Sequence, residues 1–390
     1  MIQEELLAAV QAATENVIQC GDWNRYEGNN SEALKLLIAE TIGQVFVQLT
    51  SSGTAALEII LRAAGLSVAD EVMLSSYDYP GNFWAIERVG ARPVLVDTEP
   101  SNWRVNQESL NEVFRPACKA LIVSHLHGQL QRMNELLDWC NARNVLLIED
   151  ACQALGASWQ SKPIGSYGHA TILSFGGGKL LSCGRGGAWA TSNEALAVRA
   201  RVASGAGSGP YAISELQAAV TRAQWPWLGA INESCRTFFR DLNLALCSAD
   251  RNSPSLQTNH ADGINEGWRL VSEDCIDHTA YYQCGWLIPS MAEHECQRLI
   301  ADLRRVPRTG NASEANDVQR ETGVLPFGAG FPGFHRRSRK RCRIETSLTN
   351  ASDSAARTLV LHHGIALQQK WSASEIASWI KKNRDQTIST

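Results

Sequence analysis

Over its first 230 residues the chain alternates short apolar runs with longer amphipathic stretches. Apolar runs of about four to eight residues are typical of strands buried on both faces of a parallel sheet. The stretches 54–65 and 133–144 lie between such runs and have the length of helices. This order predicts an α/β domain in which helices cover both faces of one sheet. The predicted parallel strands are 45–49, 71–76, 93–97, 120–126, 145–150, 170–175 and 187–192.

Beyond about residue 230 the regular alternation of strands and helices ends. We therefore predict two domains, an N-terminal segment with a large domain over 1–235 and a smaller α+β domain over 236–390. The elements predicted near and beyond this boundary are a helix over 225–247, a strand over 281–289 and helices over 291–305 and 372–385.

The composition limits the kinds of protein that this chain can be. With 390 residues and 44% hydrophobic content it can bury two cores, and its net charge of −4 gives no general attraction to nucleic acid or anionic membranes. No apolar run approaches the roughly 18 residues of a membrane span, and the acidic N-terminus does not resemble a secretion signal. The 11 cysteines include no Cys-x-x-Cys pair, which favours reduced thiols over a zinc site. We expect a cytoplasmic protein with no metal, membrane or nucleic-acid partner.

Ligands of parallel α/β sheets bind at the carboxyl ends of the strands, so the residues after each predicted strand are candidates for chemistry. Gly53 and Thr54 follow the strand 45–49, where small residues begin a helix. Free amide groups and the helix dipole make such a position a phosphate site, although an ordinary helix cap has the same sequence. Tyr79 follows the strand 71–76, and its ring could stack on a planar ligand or pack beneath a loop.

An acidic residue ends one of the most apolar runs. The strand 145–150 closes on Asp150, and a buried carboxylate needs a partner. A protonated ring nitrogen would provide a charge-assisted hydrogen bond, whereas a salt bridge or a helix cap would make the carboxylate structural. Gln153 lies three residues further on and could contact the same ligand or pack in a helix groove.

A glycine-rich segment with one lysine, SFGGGKLLSCGRGG, spans 174–187 after the strand 170–175. A nucleotide-binding P-loop requires glycine five residues before the Gly-Lys pair and serine or threonine after the lysine. Leu173 and Leu180 occupy those two positions, which argues against a P-loop. Two interpretations remain for Lys179: a solvated side chain on a flexible turn, or a lysine that forms a Schiff base with a carbonyl cofactor.

Together the four strand ends provide a phosphate site, a flat ring, an acid and an amine, which are the groups that pyridoxal 5′-phosphate requires. The segments 51–79, 120–159 and 165–191 also resemble the DegT/DnrJ/StrS family of sugar aminotransferases. They contain its motifs Ser-Gly-Thr-x-Ala-Leu, Glu-Asp-x-x-Gln and Ser-Phe-x-x-x-Lys in that order. The resemblance extends from about residue 21 to residue 217 and is weaker beyond.

The resemblance implies the type I aminotransferase fold, in which a large domain with a mostly parallel sheet is followed by a smaller α+β domain. It implies pyridoxal 5′-phosphate as cofactor and a homodimer whose active sites lie at the subunit interface. The implied reaction moves an amino group from glutamate or glutamine to a nucleotide-linked keto sugar or a keto cyclitol, in amino-sugar or polysaccharide biosynthesis. A dehydratase or epimerase of the same fold and a non-catalytic regulatory protein remain alternatives.

The same motifs imply the roles of individual residues by position. Lys179 is the implied Schiff-base lysine, and Asp150 is the implied partner of the ring nitrogen. Tyr79 matches the aromatic residue that stacks on the cofactor. His125 matches a family histidine that either packs in the interior or contacts substrate. The phosphate ligands and the glutamine beside the ring are matched by Gly53, Thr54, Ser174 and Gln153.

One segment departs from the family pattern. Pro210 and Ala212 stand where the family has an asparagine and an arginine. The asparagine is implied to contact the cofactor phosphate of the neighbouring subunit, whereas proline offers neither a side-chain donor nor an amide hydrogen. Another group must therefore replace this contact, or the cofactor binds more weakly.

Candidate substrate contacts lie outside the family motifs. Trp23 and Tyr26 could line a sugar pocket, since sugars stack on aromatic rings. Arg336 and Arg337 lie in the basic run 335–343, which suits a phosphorylated substrate, a nucleic acid or a solvated loop. Two further residues, which could contact substrate or pack in the core, are His362 and His363.

Overall fold

The computed structural model contains a seven-stranded sheet, a four-stranded sheet and a two-stranded hairpin. It describes residues 2–100, 102–205, 209–250, 269–270, 278–288, 292–304, 327–333, 341–368 and 371–388. In chain order the strands of the large sheet and the hairpin are β1 (Phe46–Thr50), β2 (Glu71–Ser75), β3 (Arg92–Val96), β4 (Cys118–Ser124), β5 (Leu146–Asp150), β6 (Ser158–Trp159), β7 (Lys162–Pro163), β8 (Ala170–Ser174) and β9 (Gly187–Thr191). The pair β6 and β7 forms the hairpin.

The large sheet has the order β1-β9-β8-β5-β4-β2-β3. Neighbouring strands from β3 to β8 pair in parallel, whereas β9 is antiparallel to both of its neighbours. The prediction of a parallel strand over 187–192 is therefore wrong in direction. A parallel connection needs a crossover, usually through a helix, and residues 175–186, all of which are described, contain none. The chain turns back after β8 and pairs antiparallel.

Both faces of the large sheet are buried, as the apolar runs predict. On β2, Val72 and Leu74 belong to one apolar cluster and Met73 to another. On β4, Leu121 and Ile122 divide between the same two clusters. Because successive side chains of a strand point to opposite faces, this division confirms that helices cover the sheet on both sides.

Local signals begin several helices. Proline stands at the first position of the helix after Tyr79, where its missing amide hydrogen costs nothing. Ser214 and Gln217 form a capping box at another. No helix in the described part of the chain combines the length and apolar character of a membrane span. The helices are α1 (Ile2–Gln19), α2 (Asn29–Ile42), α3 (Gly53–Ala63), α4 (Pro80–Arg88), α5 (Gln107–Val113), α6 (Met133–Asn141), α7 (Glu194–Ser204), α8 (Glu215–Gln224), α9 (Leu228–Asp250), α10 (Glu293–Leu303), α11 (Thr349–Arg357), α12 (Gly364–Gln368) and α13 (Ala373–Ile388).

The small sheet is antiparallel throughout, with β13 between β11 and β12. Helix α13 packs against both α9 and α10, and the apolar side chains of these helices join those of the sheet, such as Trp286 and Phe327, in one cluster. The strands are β10 (Arg269–Leu270), β11 (Gln283–Leu287), β12 (Phe327–Ala329) and β13 (Thr358–His362).

Helix α9 connects the two parts of the chain. Near its start, Asn232 donates a hydrogen bond to the carbonyl of Leu155, which follows β5. Near its end, Lys381 of α13 donates to the carbonyl of Ala245. The predicted boundary between residues 235 and 236 falls inside this helix, and the division into two domains stays a prediction.

Candidate active site

A cavity of about 250 Å³ lies at the carboxyl ends of strands β1, β4, β5 and β8. Every residue for which the sequence motifs imply a cofactor contact lines it, and so does His125. The structure thus brings together residues from separate strand ends, as the sheet topology requires. The seven residues with implied cofactor contacts are Gly53, Thr54, Tyr79, Asp150, Gln153, Ser174 and Lys179.

Lys179 enters the cavity from the glycine-rich segment after β8. Its Nζ lies 4.0 Å from the ring centroid of Tyr282, and no hydrogen bond within the described residues engages the amine. Burial lowers the pKa of Lys179, while interactions with Cys152 and Asp150 oppose that effect. An amine with a lowered pKa is more often neutral at pH 7 and is then both nucleophilic and basic.

Asp150 ends β5 with both carboxylate oxygens hydrogen-bonded. Oδ1 accepts from the amide of Cys152 at 3.0 Å. Oδ2 accepts from Nδ2 of Asn82 at 2.9 Å and from the hydroxyl of Ser124 at 3.4 Å. These donors fix the orientation of the carboxylate at the cavity wall.

A second buried carboxyl group, Asp78, lies next to Asp150. Its Oδ1 accepts from the amide of Tyr79 at 2.6 Å and from Nδ2 of Asn82 at 3.2 Å. Burial, and then the charge of Asp150, raises the pKa of Asp78 to about 8. Asp78 is therefore mostly protonated at neutral pH.

The first turn of α3 provides backbone donors at the end of β1. The hydroxyl of Ser52 caps the helix by accepting from the amide of Ala55 at 3.1 Å. No hydrogen bond within the described chain occupies the amides of Gly53 and Thr54, which carry the positive end of the helix dipole. This turn can therefore bind an anion.

Tyr79 precedes α4 and leaves 43% of its surface exposed. Its ring passes close to the backbone of Gly81, where an added Cβ would lie 2.3 Å from Cε1 of Tyr79 and 2.8 Å from the hydroxyl of Thr54. Only glycine at position 81 leaves space for the tyrosine ring in this place.

Gln153 is bonded on one side only. Its Oε1 accepts from the amide of His127 at 3.2 Å, while its amide nitrogen has no partner among the described residues. His127 has a left-handed φ of +55°, and burial lowers its pKa to about 3. The backbone amide of His127 thus holds the carbonyl end of Gln153 and leaves its side-chain nitrogen for a ligand.

His125 packs in the interior. Its Nδ1 accepts from the amide of Gln131 at 3.2 Å, so its Nε2 carries the hydrogen and donates to Oε1 of Glu149 at 3.3 Å. Glu149 also accepts from three backbone amides of residues 165–168. Both ring nitrogens of His125 are engaged within the protein, and this arrangement favours the packing role over a substrate contact.

The lining residues that were not singled out from the sequence include Asn82, Ser124, Cys152 and Tyr282. Ser124 ends the apolar run of β4, and Cys152 lies between Asp150 and Gln153, so the rule applied to other strand ends could have found both. Asn82 lies one helical turn after Asp78. Tyr282 reaches the cavity from the small sheet, and no local signal marks it.

Two of the candidate substrate residues lie outside this cavity. Trp23 and Tyr26 leave 59% and 76% of their surfaces exposed and do not line it. Arg336 and Arg337 lie outside the described residues. The end of the same basic run makes ion pairs with the large sheet and its helices: Arg341 donates to Glu87 and Arg343 to Glu71.

Pro210, at the departure from the family pattern, is exposed. Its neighbour Tyr211 accepts a hydrogen bond from the amide of Ser51 and donates one to Glu58 of α3. Neither Pro210 nor Ala212 lines the cavity of its own chain.

The family model of the DegT/DnrJ/EryC1/StrS aminotransferases matches residues 2–273. The chain belongs to this aminotransferase family. The matched range contains the large sheet and every residue for which the motifs imply a cofactor contact, so the resemblance seen in the sequence motifs is confirmed.

Several curated relatives match part of the chain. GDP-perosamine synthase of Caulobacter vibrioides is 32% identical over 222 residues, which is 53% of this chain and 60% of the relative. L-glutamine:scyllo-inosose aminotransferase of Streptomyces griseus is 31% identical over 191 residues, 48% of this chain and 45% of the relative. The chain therefore spans about half the length of the curated relatives it matches.

Solved structures resemble almost the whole chain. The structure of 3-amino-5-hydroxybenzoic acid synthase superposes with a TM-score of 0.78, covers 97% of both chains and is 21% identical. A DegT/DnrJ/EryC1/StrS aminotransferase from Brucella abortus gives the same TM-score and identity over 97% of this chain and 96% of its own. This family member therefore has the type I aminotransferase fold predicted from its motifs.

Proposed function

We propose that the chain is an aminotransferase that uses pyridoxal 5′-phosphate to move an amino group from glutamate or glutamine to a keto sugar or keto cyclitol. The observation that carries the proposal is the convergence of the unbonded amine of Lys179 and the oriented carboxylate of Asp150 on one cavity. The name of the Streptomyces relative specifies glutamine and scyllo-inosose, and that of the Caulobacter relative a nucleotide-linked amino sugar. The Streptomyces name supports glutamine as donor, and both names support the substrate class.

The cavity fits the chemical groups of this cofactor. The free amides of α3 and the hydroxyl of Ser174 suit a phosphate. A Cβ at Gly53 would lie 2.9 Å from Sγ of Cys152 and 3.1 Å from Cβ of Ser174, so glycine keeps this turn open. Tyr79 offers a flat ring and Asp150 an acceptor for a protonated ring nitrogen. One solved neighbour, a protein from Bacillus subtilis, contains bound PMP, the aminated form of this cofactor.

In the proposed reaction Lys179, Asp150 and Tyr79 would have different roles. When bound, the cofactor supplies a carbonyl that condenses with amines and a ring that takes up the electrons released from the donor's Cα–H bond. Lys179 would take the proton from that carbon at Nζ and return it elsewhere, because burial gives it an accessible neutral form. Asp150 would hold a proton at the ring nitrogen, and Tyr79 would orient the ring.

We also infer a homodimer in which each cavity is completed by the partner. Tyr79 and Trp84 leave 43% and 47% of their surfaces exposed, and exposed aromatic residues beside a site are typical of interfaces. Pro210 is exposed outside its own chain's cavity, a position that suits a contact in the partner's site. In sedimentation experiments Trp84→Glu should shift the protein towards monomers and weaken cofactor retention. A wild-type monomer that retains cofactor would contradict the dimer.

The proposed setting is amino-sugar or polysaccharide biosynthesis in the cytoplasm. The nine cysteines whose side chains the structure describes are free thiols, which suits a reducing compartment. Fractionation of the native host with an antibody against the chain tests this placement, and recovery outside the cytoplasm would overturn it.

Covalent trapping tests the cofactor. Protein incubated with pyridoxal 5′-phosphate and then reduced with borohydride should carry a pyridoxyl group on the peptide that contains Lys179, as found by mass spectrometry. Lys179→Ala should carry none. Unmodified peptide from wild-type protein that is saturated with pyridoxal 5′-phosphate would contradict the proposal.

Isotope transfer tests the reaction. Glutamine or glutamate labelled with ¹⁵N at the α-amino group should transfer the label to a nucleotide-linked keto sugar or to scyllo-inosose, and the product mass should rise accordingly. An unlabelled product that has lost water would instead indicate a dehydratase, and an isomerised unlabelled product an epimerase.

A further inference from the structure

The peptide bond that precedes Lys179 is held at both ends. The amide of Lys179 donates to the carbonyl of Gly176 at 3.1 Å, within the glycine-rich segment. The carbonyl of Gly178, on the other side of the same peptide, lies 2.8 Å from Nε2 of His362 at the end of β13. Because this peptide is planar, the two bonds together fix its orientation and with it the position of the Lys179 Cα atom, from which the side chain extends.

The hydrogen-bond pattern determines the tautomer of His362. Its Nδ1 accepts from the amide of Gly364 at 3.1 Å, so Nε2 carries the hydrogen and donates to the carbonyl of Gly178. Burial lowers the pKa of His362 to about 4. The ring is therefore a neutral, singly oriented donor that reaches from the small sheet to the glycine-rich segment, across 184 residues of sequence.

The same end of the small sheet places an aromatic ring against the amine of Lys179. Tyr282 precedes β11, and β11 pairs antiparallel with β13 so that Gln283 lies opposite His362. The ring of Tyr282 lies edge-to-face on His362 at 5.4 Å and faces Nζ of Lys179 at 4.0 Å. An aromatic face attracts a cation and gives a neutral amine no equivalent benefit.

We propose that His362 and Tyr282 are positioning residues for Lys179: His362 fixes the peptide before it, and Tyr282 holds its amine against one wall of the cavity. The inference rests on the proposed role of Lys179 as the reactive amine. It gives the small sheet a direct part in the site and assigns a use to one of the two histidines that follow the apolar run of β13.

The first test needs no cofactor. In the cofactor-free protein, mass spectrometry follows the rate at which trinitrobenzenesulfonate modifies Lys179 as a function of pH. Tyr282→Leu removes the ring that favours the charged amine, so the midpoint should fall by about 0.5 pH unit. Tyr282→Phe keeps the ring and should keep the midpoint. Equal midpoints in wild type and Tyr282→Leu would overturn the role of the ring.

The other titratable groups around the amine are common to all three proteins in this comparison. On the large-sheet side they are Asp150, Cys152, Tyr79 and His127, and on the small-sheet side His362 and His363. A difference between the leucine and phenylalanine variants therefore reports the ring at position 282.

The second test follows the backbone. In the cofactor-free protein, amide hydrogen exchange of the peptide 174–187 should become faster in His362→Phe, which lacks the donor. It should recover in His362→Gln, whose amide can replace Nε2. His169→Phe removes a histidine that precedes β8, at the end of the large sheet opposite the cavity. It should leave the exchange rate of this peptide unchanged. Equal exchange rates in wild type and His362→Phe would overturn the proposal that His362 fixes the peptide before Lys179.

Kinetics of the loaded enzyme complete the test. His362→Phe should lower kcat on the order of tenfold, since small misplacements of a reacting group are costly, with KM changed less than about twofold. His362→Gln should recover most of that loss. If wild type traps no pyridoxyl group on Lys179, the proposed function fails, yet the labelling and exchange results still decide this inference. If trapping succeeds and the His362→Phe and Tyr282→Leu variants behave like wild type, only this inference fails.

Discussion

The side-chain amide of Asn82 donates a hydrogen bond of 2.9 Å to Oδ2 of Asp150. The same nitrogen lies 3.2 Å from Oδ1 of Asp78. One neutral amide thus connects the carboxylate proposed to face the cofactor ring with a second buried carboxyl group. Burial without such donors would be costly for both acids. The short segment that contains Asp78 and Asn82 therefore stabilises the Asp150 carboxylate at the cavity wall.

Asn82→Leu tests this connection, since leucine has a similar volume and no donor. We expect a loss of about 1–3 kcal/mol in the free energy of unfolding, because buried acceptors lose their partner. The loss should be larger at pH 9 than at pH 6, since the hydrogen bond from Asn82 stabilises the ionised form of Asp78, which is more populated at the higher pH. Chemical denaturation at the two pH values measures it.

Asn232→Leu is a matched control. Asn232 is also buried and donates one hydrogen bond, but to the neutral carbonyl of Leu155. The loss in free energy of unfolding caused by Asn232→Leu should not depend on pH. If the two variants show the same pH dependence, Asn82 does not bridge charged groups.

Asp78→Asn should make stability less sensitive to alkaline pH. The pKa of Asp78 is raised to about 8 in the folded protein from an ordinary 3.8, so between these values the folded state binds a proton that the unfolded state lacks. Stability therefore falls as pH rises through this window. Asparagine resembles the protonated acid and has no such proton to lose. Between pH 5 and pH 9 the free energy of unfolding of the variant should therefore rise by about 1–3 kcal/mol relative to that of wild type.

Melting temperatures across that range measure the effect. The control is Asp70→Asn, whose carboxylate accepts from Ser67 near the surface. A difference between Asp78→Asn and wild type that stays constant with pH would show that Asp78 is ionised in the native protein throughout.

Much of the large sheet could be predicted because its strands are buried on both faces. A run such as 145–150 has no other way to hide its apolar side chains, and the rule that ligands bind at strand ends then identifies Asp150. Periodicity does not encode direction, so β9 was predicted parallel. Only the helix-free connection over 175–186 makes it antiparallel.

The rest of the site depends on contacts between distant segments. Tyr282 reaches Lys179, and His362 reaches Gly178, from the end of the small sheet where β11 begins and β13 ends. No local pattern marks Tyr282, and the strand-end position of His362 fits packing as well as a site. Asp78 follows a strand like other candidates, but its buried environment and raised pKa arise only from its neighbours. For Trp23 and Tyr26 the reverse holds: an aromatic pair suggests a sugar pocket, and the fold leaves both exposed.

Gly81→Ala should separate cofactor affinity from stability. Alanine favours a helix by about 1 kcal/mol over glycine, so α4 itself should not weaken. An added Cβ would nevertheless lie 2.3 Å from Cε1 of Tyr79, and the ring must move. If Tyr79 stacks on the cofactor, its displacement should raise the Kd for pyridoxal 5′-phosphate about three- to tenfold.

Absorbance titration gives the Kd, and a thermal melt of the cofactor-free protein gives the stability. Gly229→Ala is the control, because a Cβ there meets no atom within 4 Å, and its Kd should equal that of wild type. An unchanged Kd in Gly81→Ala would remove Tyr79 from the proposed binding site.

His125→Phe should decide between the packing and substrate roles of this histidine. The substitution leaves Glu149 without its side-chain donor and the amide of Gln131 without its acceptor, which should cost about 2–4 kcal/mol of stability. Both ring nitrogens face inward, so KM for the keto substrate in the folded variant should stay within about twofold of wild type. Urea denaturation and steady-state kinetics below the melting temperature measure the two quantities. His169→Phe gives the loss expected from a histidine that accepts from one backbone amide. A tenfold rise in KM at unchanged stability would instead assign His125 to the substrate.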